Sequence, residues 1–273
     1  MNSAEASGDT ASAEARSLAA LAQSLQPADG GLALAGASGW MQGRTMYGGA
    51  SSFLAYSAAR ALLPGLPPLR GAQVTFVAPV GESLQAQARL LRRGRSVTQV
   101  ETDLTCGGEL VHRTIWLFGE GRADNGIVPA DAFEELTPPD ECAEVAFGAH
   151  TPAFTARFEV RHAGPREESR PATIRRWVRL RERDGLDPMA ELVAVGDMLP
   201  PGAMRAMERL GPISSINWAF TVLGEAPGTR DGWWLLETSS NQMAGGFSSE
   251  TLRLWNADGI EMMRGLQSVA VFG

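Results

Sequence analysis

Apolar and polar positions along the chain change period several times, and each change marks an element. The densest apolar stretch is DPMAELVAVGDMLPP, residues 187–201, where Met189, Leu192, Val193 and the residues from Val195 to Met198 leave little polar face. Such a segment reads as a helix wrapped by the rest of its domain. Asp187 is placed to cap it, Pro188 suits its first position, and Pro200-Pro201 is its expected stop. Asp197 stands out near the end of this helix. A carboxylate there has to be paired, hydrogen-bonded or open to a cavity, because an unpartnered buried charge is very costly. Solvent at the helix end or a backbone amide would also meet that need.

Taken in order, residues 1–17 are mostly Ala, Ser, Glu and Gly and read as mobile. Leu18, Leu21 and Leu25 have helical spacing, and Gly30 to Ala35 reads as a short strand. Gly43, Gly48 and Gly49 mark a turn that brings backbone close to something, and they lead into an Ala-rich helix from Ser51 to Leu63. Pro64, Pro67 and Pro68 end it, and the period falls to that of strands. The expected strands are Val74 to Val80, then Leu84 to Leu91 paired with Ser96 to Leu104 around Arg92-Arg93-Gly94-Arg95, then Glu109 to Phe118 after a turn at Cys106-Gly107-Gly108. Gly119 to Phe147 is rich in Pro, Asp, Glu and Gly without periodicity and reads as a linker.

The second half repeats this order. Strands near Phe154–Arg161 and Ile174–Leu180 precede the apolar helix; Ser215–Leu223, Trp233–Ser239, Gly246–Trp255 and Ile260–Phe272 follow it, with a turn at Ala257-Asp258-Gly259. Pro227 takes the place of Pro79, and Asp258-Gly259 that of Gly107-Gly108. One fold used twice is the economical reading, with units at 18–120 and 149–273 joined by residues 121–148. A helix wrapped by a curved antiparallel sheet is the hot-dog plan, so the expected class is α+β, a double hot dog.

A net charge of −7 and a pI near 5.1 argue against nucleic acid or an anionic membrane surface as partner. Cys106 and Cys142 lack a paired spacing, and His112, His150 and His162 lie far apart, so no disulfide framework, metal site or cofactor is expected. With neither a signal-peptide pattern nor a run of membrane-spanning length, the expected location is a reducing cytoplasm without stable membrane insertion.

Several stretches together carry a family resemblance: GRTMYGGASSFLAYSAA, VTFVAPVG and LLRRGRSVTQVETDL in the first half, and GDMLPP, SINWAF and GLQSVAVFG in the second. From about Leu18 onward the chain resembles the acyl-CoA thioesterases of the double hot-dog type, in particular the bacterial thioesterase II group and its peroxisomal relatives. The resemblance implies acyl-CoA as substrate and a water held jointly by an Asp, a Ser or Thr, and a Gln. By matching motif these are Asp197, Ser215 and Gln267. The chain departs from the pattern at Asn217, where the family has an acidic residue, and in a longer loop before Trp234, so Ser214 and Asn217 stay open as alternatives for the hydroxyl position.

The implied chemistry is physically sensible, because a thioester is activated enough for a carboxylate-assisted water to attack it. Its developing oxyanion wants backbone N–H groups such as a Gly-rich helix start provides, which makes Tyr47, Gly48 and Gly49 candidates for substrate binding. Arg92, Arg93 and Arg95 either form a solvated hairpin end or hold the phosphates of coenzyme A. The arginines from Arg175 to Arg183 face a similar choice between a subunit contact and coenzyme A, and Trp218, Trp233, Trp234, Trp255, Met243, Met262 and Met263 read as core and interface. A non-catalytic acyl-CoA or lipid binding protein and an enoyl-CoA hydratase are the alternative functions. Open sheet edges call for at least a homodimer with about 12 strands continued across the contact, the alternative being a monomer whose linker and arginines guard the edges.

Overall fold

The computed structural model describes residues 16–128, 133, 137–148, 151–163, 172–209, 211–224 and 227–272. Most of the N-terminal segment read as mobile, part of the linker, and His150 therefore lie outside the described residues. The elements follow the expected order: α1 (Leu18–Gln23), β1 (Gln26–Ala28), β2 (Gly31–Leu34), β3 (Met41–Gln42), β4 (Thr45–Met46), α2 (Gly48–Leu62), β5 (Leu69–Phe76), β6 (Leu84–Arg93), β7 (Val97–Cys106) and β8 (Glu109–Gly119). The second half adds β9 (Phe158–His162), β10 (Thr173–Leu180), α3 (Pro188–Val195), β11 (Ile213–Val222), β12 (Trp234–Ala244), β13 (Phe247–Asn256) and β14 (Glu261–Val271).

Twelve of these strands form one antiparallel sheet in the order β1-β2-β6-β7-β8-β5-β11-β14-β13-β12-β10-β9. Read from either end, the order is the same plan, with the β5–β11 pair at its centre. Three register shifts recur in both halves: Leu69/Gly71 answers to Ser215/Asn217, Leu90/Arg92 to Ser240/Gln242, and Leu104/Thr105 to Leu254/Trp255. Bulges bend a strand and sharpen its twist, so matched bulges curl each half around its helix in the same way. The two helices pack on each other inside this wrap, and α2 is buried at almost every position from Gly49 to Ala59.

Four boundaries differ from the sequence reading. Helix α3 is capped as expected, Asp187 Oδ1 accepting from the Ala190 N–H at 2.9 Å, but it ends at Val195, ahead of the prolines. Gly196 is the reason: the Met198 N–H turns back to the Val195 carbonyl, and a side chain at Gly196 would meet Met263 Sδ at 2.8 Å. Helix α2 begins at Gly48, three residues early, because Gly48 and Gly49 are helical and serve close approach, with no left-handed backbone at either. Strand β5 starts at Leu69, and residues 153–157, expected as strand, form a 3-10 turn before β9.

The twelve strands of this sheet are all supplied by one chain. Its outer edges are already managed. β1 is three residues long and contains Pro27, while β9 is covered by the linker, with Val145 N–H on the Val160 carbonyl at 2.8 Å and His162 N–H on the Ala143 carbonyl at 2.9 Å.

Candidate active site

Three residues singled out in the sequence meet at the start of α2. Gln267 is buried on β14, opposite Trp218 on β11, and its Nε2 donates to Asp197 Oδ1 at 2.5 Å. Ser215, just before the β11 bulge, donates its hydroxyl to Gln267 Oε1 at 3.2 Å. The other face of the carboxylate rests on α2: Gly49 N–H donates to Asp197, and a Cβ at Gly48 would lie 2.4 Å from Asp197 Oδ2. Burial lifts the Asp197 carboxyl from its ordinary range to about 7, and the bonds from Gln267 and Gly49 hold it from rising further.

The other two candidates for the hydroxyl position lie elsewhere. Asn217 Oδ1 accepts the Ser268 N–H at 3.1 Å, which serves the bulge, and Ser214 is exposed. Tyr47 is the N-cap residue of α2, and its phenol donates to the Ala194 carbonyl at 2.5 Å while its ring stacks on Phe154 at 4.2 Å. Burial and the neighbouring Asp197 charge raise its pKa well above the usual phenol value. Tyr47 thus ties the start of α2 to the end of α3, and its hydroxyl is committed within the protein.

The matched bulges allow the same positions to be read in the first half. Leu69 stands where Ser215 does, and Trp116 where Gln267 does; both are buried. Among the described residues, the first half thus has no polar side chain at the positions of Ser215 and Gln267. Among the described residues, no group of three or more His, Cys, Asp or Glu is arranged to hold a metal ion.

Comparison with known proteins gives this geometry a family. The model of the acyl-CoA thioesterase N-terminal domain matches residues 37–119, and that of the acyl-CoA thioesterase C-terminal domain matches residues 139–271. The chain belongs to the acyl-CoA thioesterase family. Solved structures similar to this thioesterase include a hot dog fold protein from Alicyclobacillus acidocaldarius, 20% identical, with a TM-score of 0.82 over 94% of this chain and 99% of that one. An acyl-CoA thioesterase II from Mycobacterium marinum is 17% identical, with a TM-score of 0.75 over 94% and 98% of the two chains. The tesB protein of Mycobacterium avium subsp. paratuberculosis is 16% identical, with a TM-score of 0.76 over 94% and 98%. At these identities the likeness is one of fold. No curated protein sequence matches the chain.

In this thioesterase the hairpin arginines are not gathered with the trio. Arg93 pairs with Thr98, which leads across Phe118 to Leu69, the opposite end of β5 from Phe76. That is roughly 23 Å along the strands at about 3.3 Å per residue. Arg92, Arg93 and Arg95 are exposed and flank the first-half position filled by Leu69 and Trp116. The β10 arginines are spent within the chain: Arg175 pairs with Glu237, and Arg179 and Arg161 share Glu159 while lying over the Trp233 ring at 4.5 and 5.1 Å. The tryptophans and Met262 and Met263 are buried as expected, whereas Met243 is exposed on the β12–β13 hairpin.

Two buried polar residues near this end of the sheet escaped the sequence reading. His112 lies behind the first turn of α2, with Nδ1 3.3 Å from Ser51 Oγ and Nε2 2.8 Å from Thr114 Oγ1, and burial lowers its pKa to about 3. Glu250 stands opposite Gln267 on β13 and is wholly buried. The alternation of SSETLRLW was the one signal that could have placed Glu250 on the inward side of its strand, and an acidic residue there obscured it.

Proposed function

We propose that this acyl-CoA thioesterase hydrolyses acyl-CoA to a free carboxylic acid and CoA, with Asp197 as general base and Ser215 and Gln267 holding the water. The observation that carries this reading is the Asp197 carboxyl, brought to about 7 by burial while bound to Gln267 and Gly49. A base is most effective when its pKa lies near the working pH. Because the Ser215 hydroxyl donates to Gln267 Oε1, the Gln267 amide is oriented with Nε2 toward Asp197. The free lone pairs of Asp197 and Ser215 are then left for a water.

In the step itself, one water proton passes to Asp197 as the water oxygen bonds to the thioester carbon. The carbonyl electron pair moves onto oxygen, where N–H groups in the first turn of α2 that serve neither the helix nor, like Gly49, the Asp197 carboxylate stabilise it. Collapse of the intermediate breaks the C–S bond, and the proton on Asp197 goes to the leaving sulfur. Acid and thiol depart, and Asp197 is again ionised.

The hydrogen-bonded chain from Ser215 to Asp197 supports catalysis over binding alone, and the enclosure of His112 between Ser51 and Thr114 supports hydrolysis over hydration of an enoyl-CoA. Gln267→Ala is expected to lower kcat about a hundredfold when thiol release is followed across a panel of acyl-CoA chain lengths; an unchanged kcat would remove Gln267 from the mechanism.

We also propose a cytoplasmic location, which fits the two unpaired cysteines, and association into a homo-oligomer. With the sheet edges managed, such association has to use the outer face, where Phe247 and Leu266 are exposed at 60% and 57% on neighbouring strands. Light scattering checks it: the expected mass is at least twice 29.0 kDa, and a mass of one chain across a wide concentration range refutes it.

A further inference from the structure

The two halves can be compared along one row that crosses the sheet. In the second half Gln267 faces Glu250, and Glu250 faces Ser240. The corresponding row in the first half is Trp116, Val100 and Leu90. Glu250 and Val100 are equally buried, at 0% exposure. The first half therefore builds the same strand crossing with an aliphatic side chain, and burying a carboxylate instead is costly unless every oxygen is well satisfied. The fold alone gives no reason for a carboxylate at this position.

Its partners supply a reason. Glu250 Oε2 accepts from Gly202 N–H at 2.8 Å, and Oε1 accepts from Ala203 N–H at 3.2 Å and from the Ser248 hydroxyl at 2.5 Å. Gly202 and Ala203 open the short 3-10 turn that follows Asp197 by five residues. Thr238 Oγ1 donates to the Pro200 carbonyl at 2.8 Å, just ahead of them. Upstream, the Met198 N–H is bonded to the Val195 carbonyl at the end of α3. Residues 196–203 thus form a strap, stiffened by Pro200 and Pro201 and fastened at both ends, and Asp197 projects from it.

We propose that Glu250 is a positioning residue for the hydrolytic site: it anchors the downstream end of this strap, so that the Asp197 carboxylate stays between Gln267 and the first turn of α2. The inference rests on the reading of Asp197 as the base. It assigns Glu250 no contact with substrate or water.

The test is a cycle of kcat and KM for acyl-CoA hydrolysis in the full chain, Glu250→Gln, Asp197→Asn and the double variant. Glu250→Gln keeps the volume but turns an N–H₂ group toward a backbone donor. The expected loss in kcat is about tenfold to a hundredfold with KM held within about twofold, since a displacement approaching 1 Å at a reacting group has an effect on this order. With Asp197→Asn already present, the same change is expected to lower the residual rate by less than about twofold, because the route through Asp197 is gone. Full kcat in Glu250→Gln, or equal losses in both backgrounds, overturns the proposal. If Glu250→Gln does not fold, Ser248→Ala takes its place: it removes one of three donors, and about a threefold loss in kcat with the same background dependence is expected, its absence being fatal. Full activity in Asp197→Asn alone instead overturns the assignment of the base, so the two failures are told apart.

Discussion

Asp197→Asn is expected to lower kcat for acyl-CoA hydrolysis by a hundredfold or more, about the size of effect that follows removal of a positioned general base. The wild-type rate should rise with pH through a limb near 7, since only the ionised carboxylate accepts a proton from water and burial has moved its pKa to about 7. Stability should move the other way. The folded-state pKa of Asp197 lies above the unfolded value near 3.9, so between about pH 4 and 7 the folded chain holds more of this proton than the unfolded chain, and stability falls as pH rises through that window. A shift of this size corresponds to a few kcal/mol at most. Melting curves at pH 5 and pH 8 check it, with Asp197→Asn losing that part of the pH dependence; a full-rate Asp197→Asn enzyme would exclude the mechanism.

The second large effect separates two adjacent glycines. A Cβ at Gly48 would lie 2.4 Å from Asp197 Oδ2 and 3.0 Å from the Phe76 ring, both at side-chain tips that can shift. Gly48→Ala is therefore expected to fold and to lose about a hundredfold in kcat by displacing the carboxylate. A Cβ at Gly49 would meet the Ala194 carbonyl oxygen at 2.2 Å and the Tyr47 hydroxyl at 2.3 Å, where backbone of α3 has no room to move. Gly49→Ala is expected to destabilise the chain by about 3 kcal/mol or more through overpacking at the helix contact. Chemical denaturation together with kcat distinguishes them. Equal stability losses in the two variants would show that the glycines serve only helix packing.

Much of this arrangement was legible because local signals and the tertiary fold agree. Asp187-Pro188 starts α3 as its cap chemistry demands, and Gly107 and Gly108, at φ of 59° and 88°, form the tight turn their pairing implies. Asp197 could be singled out because an apolar helix makes a charged neighbour conspicuous. The arginine hairpin lies apart from the trio for a topological reason that the sequence pattern does not display. The repeat is visible in sequence, but the antiparallel β5–β11 joint exchanges ends, so the start of the first-half helix meets second-half residues while the first-half hairpin borders the apolar twin. Gly48 and Gly49 read as turn residues because sequence does not distinguish a glycine needed for its φ from one needed for its missing side chain.

The central β5–β11 pair also bears on how the chain folds. Gly48 and Gly49 come from one half, and Asp197, Ser215 and Gln267 from the other, so the constellation exists only after a contact closes between residues some 150 positions apart in the chain. Long-range closures of this kind are slow, because chain entropy is lost before the contacts that offset it are made. On the proposed mechanism, competence for hydrolysis is a property of the closed joint and is expected to be gained late in refolding, once the contact between the halves has formed.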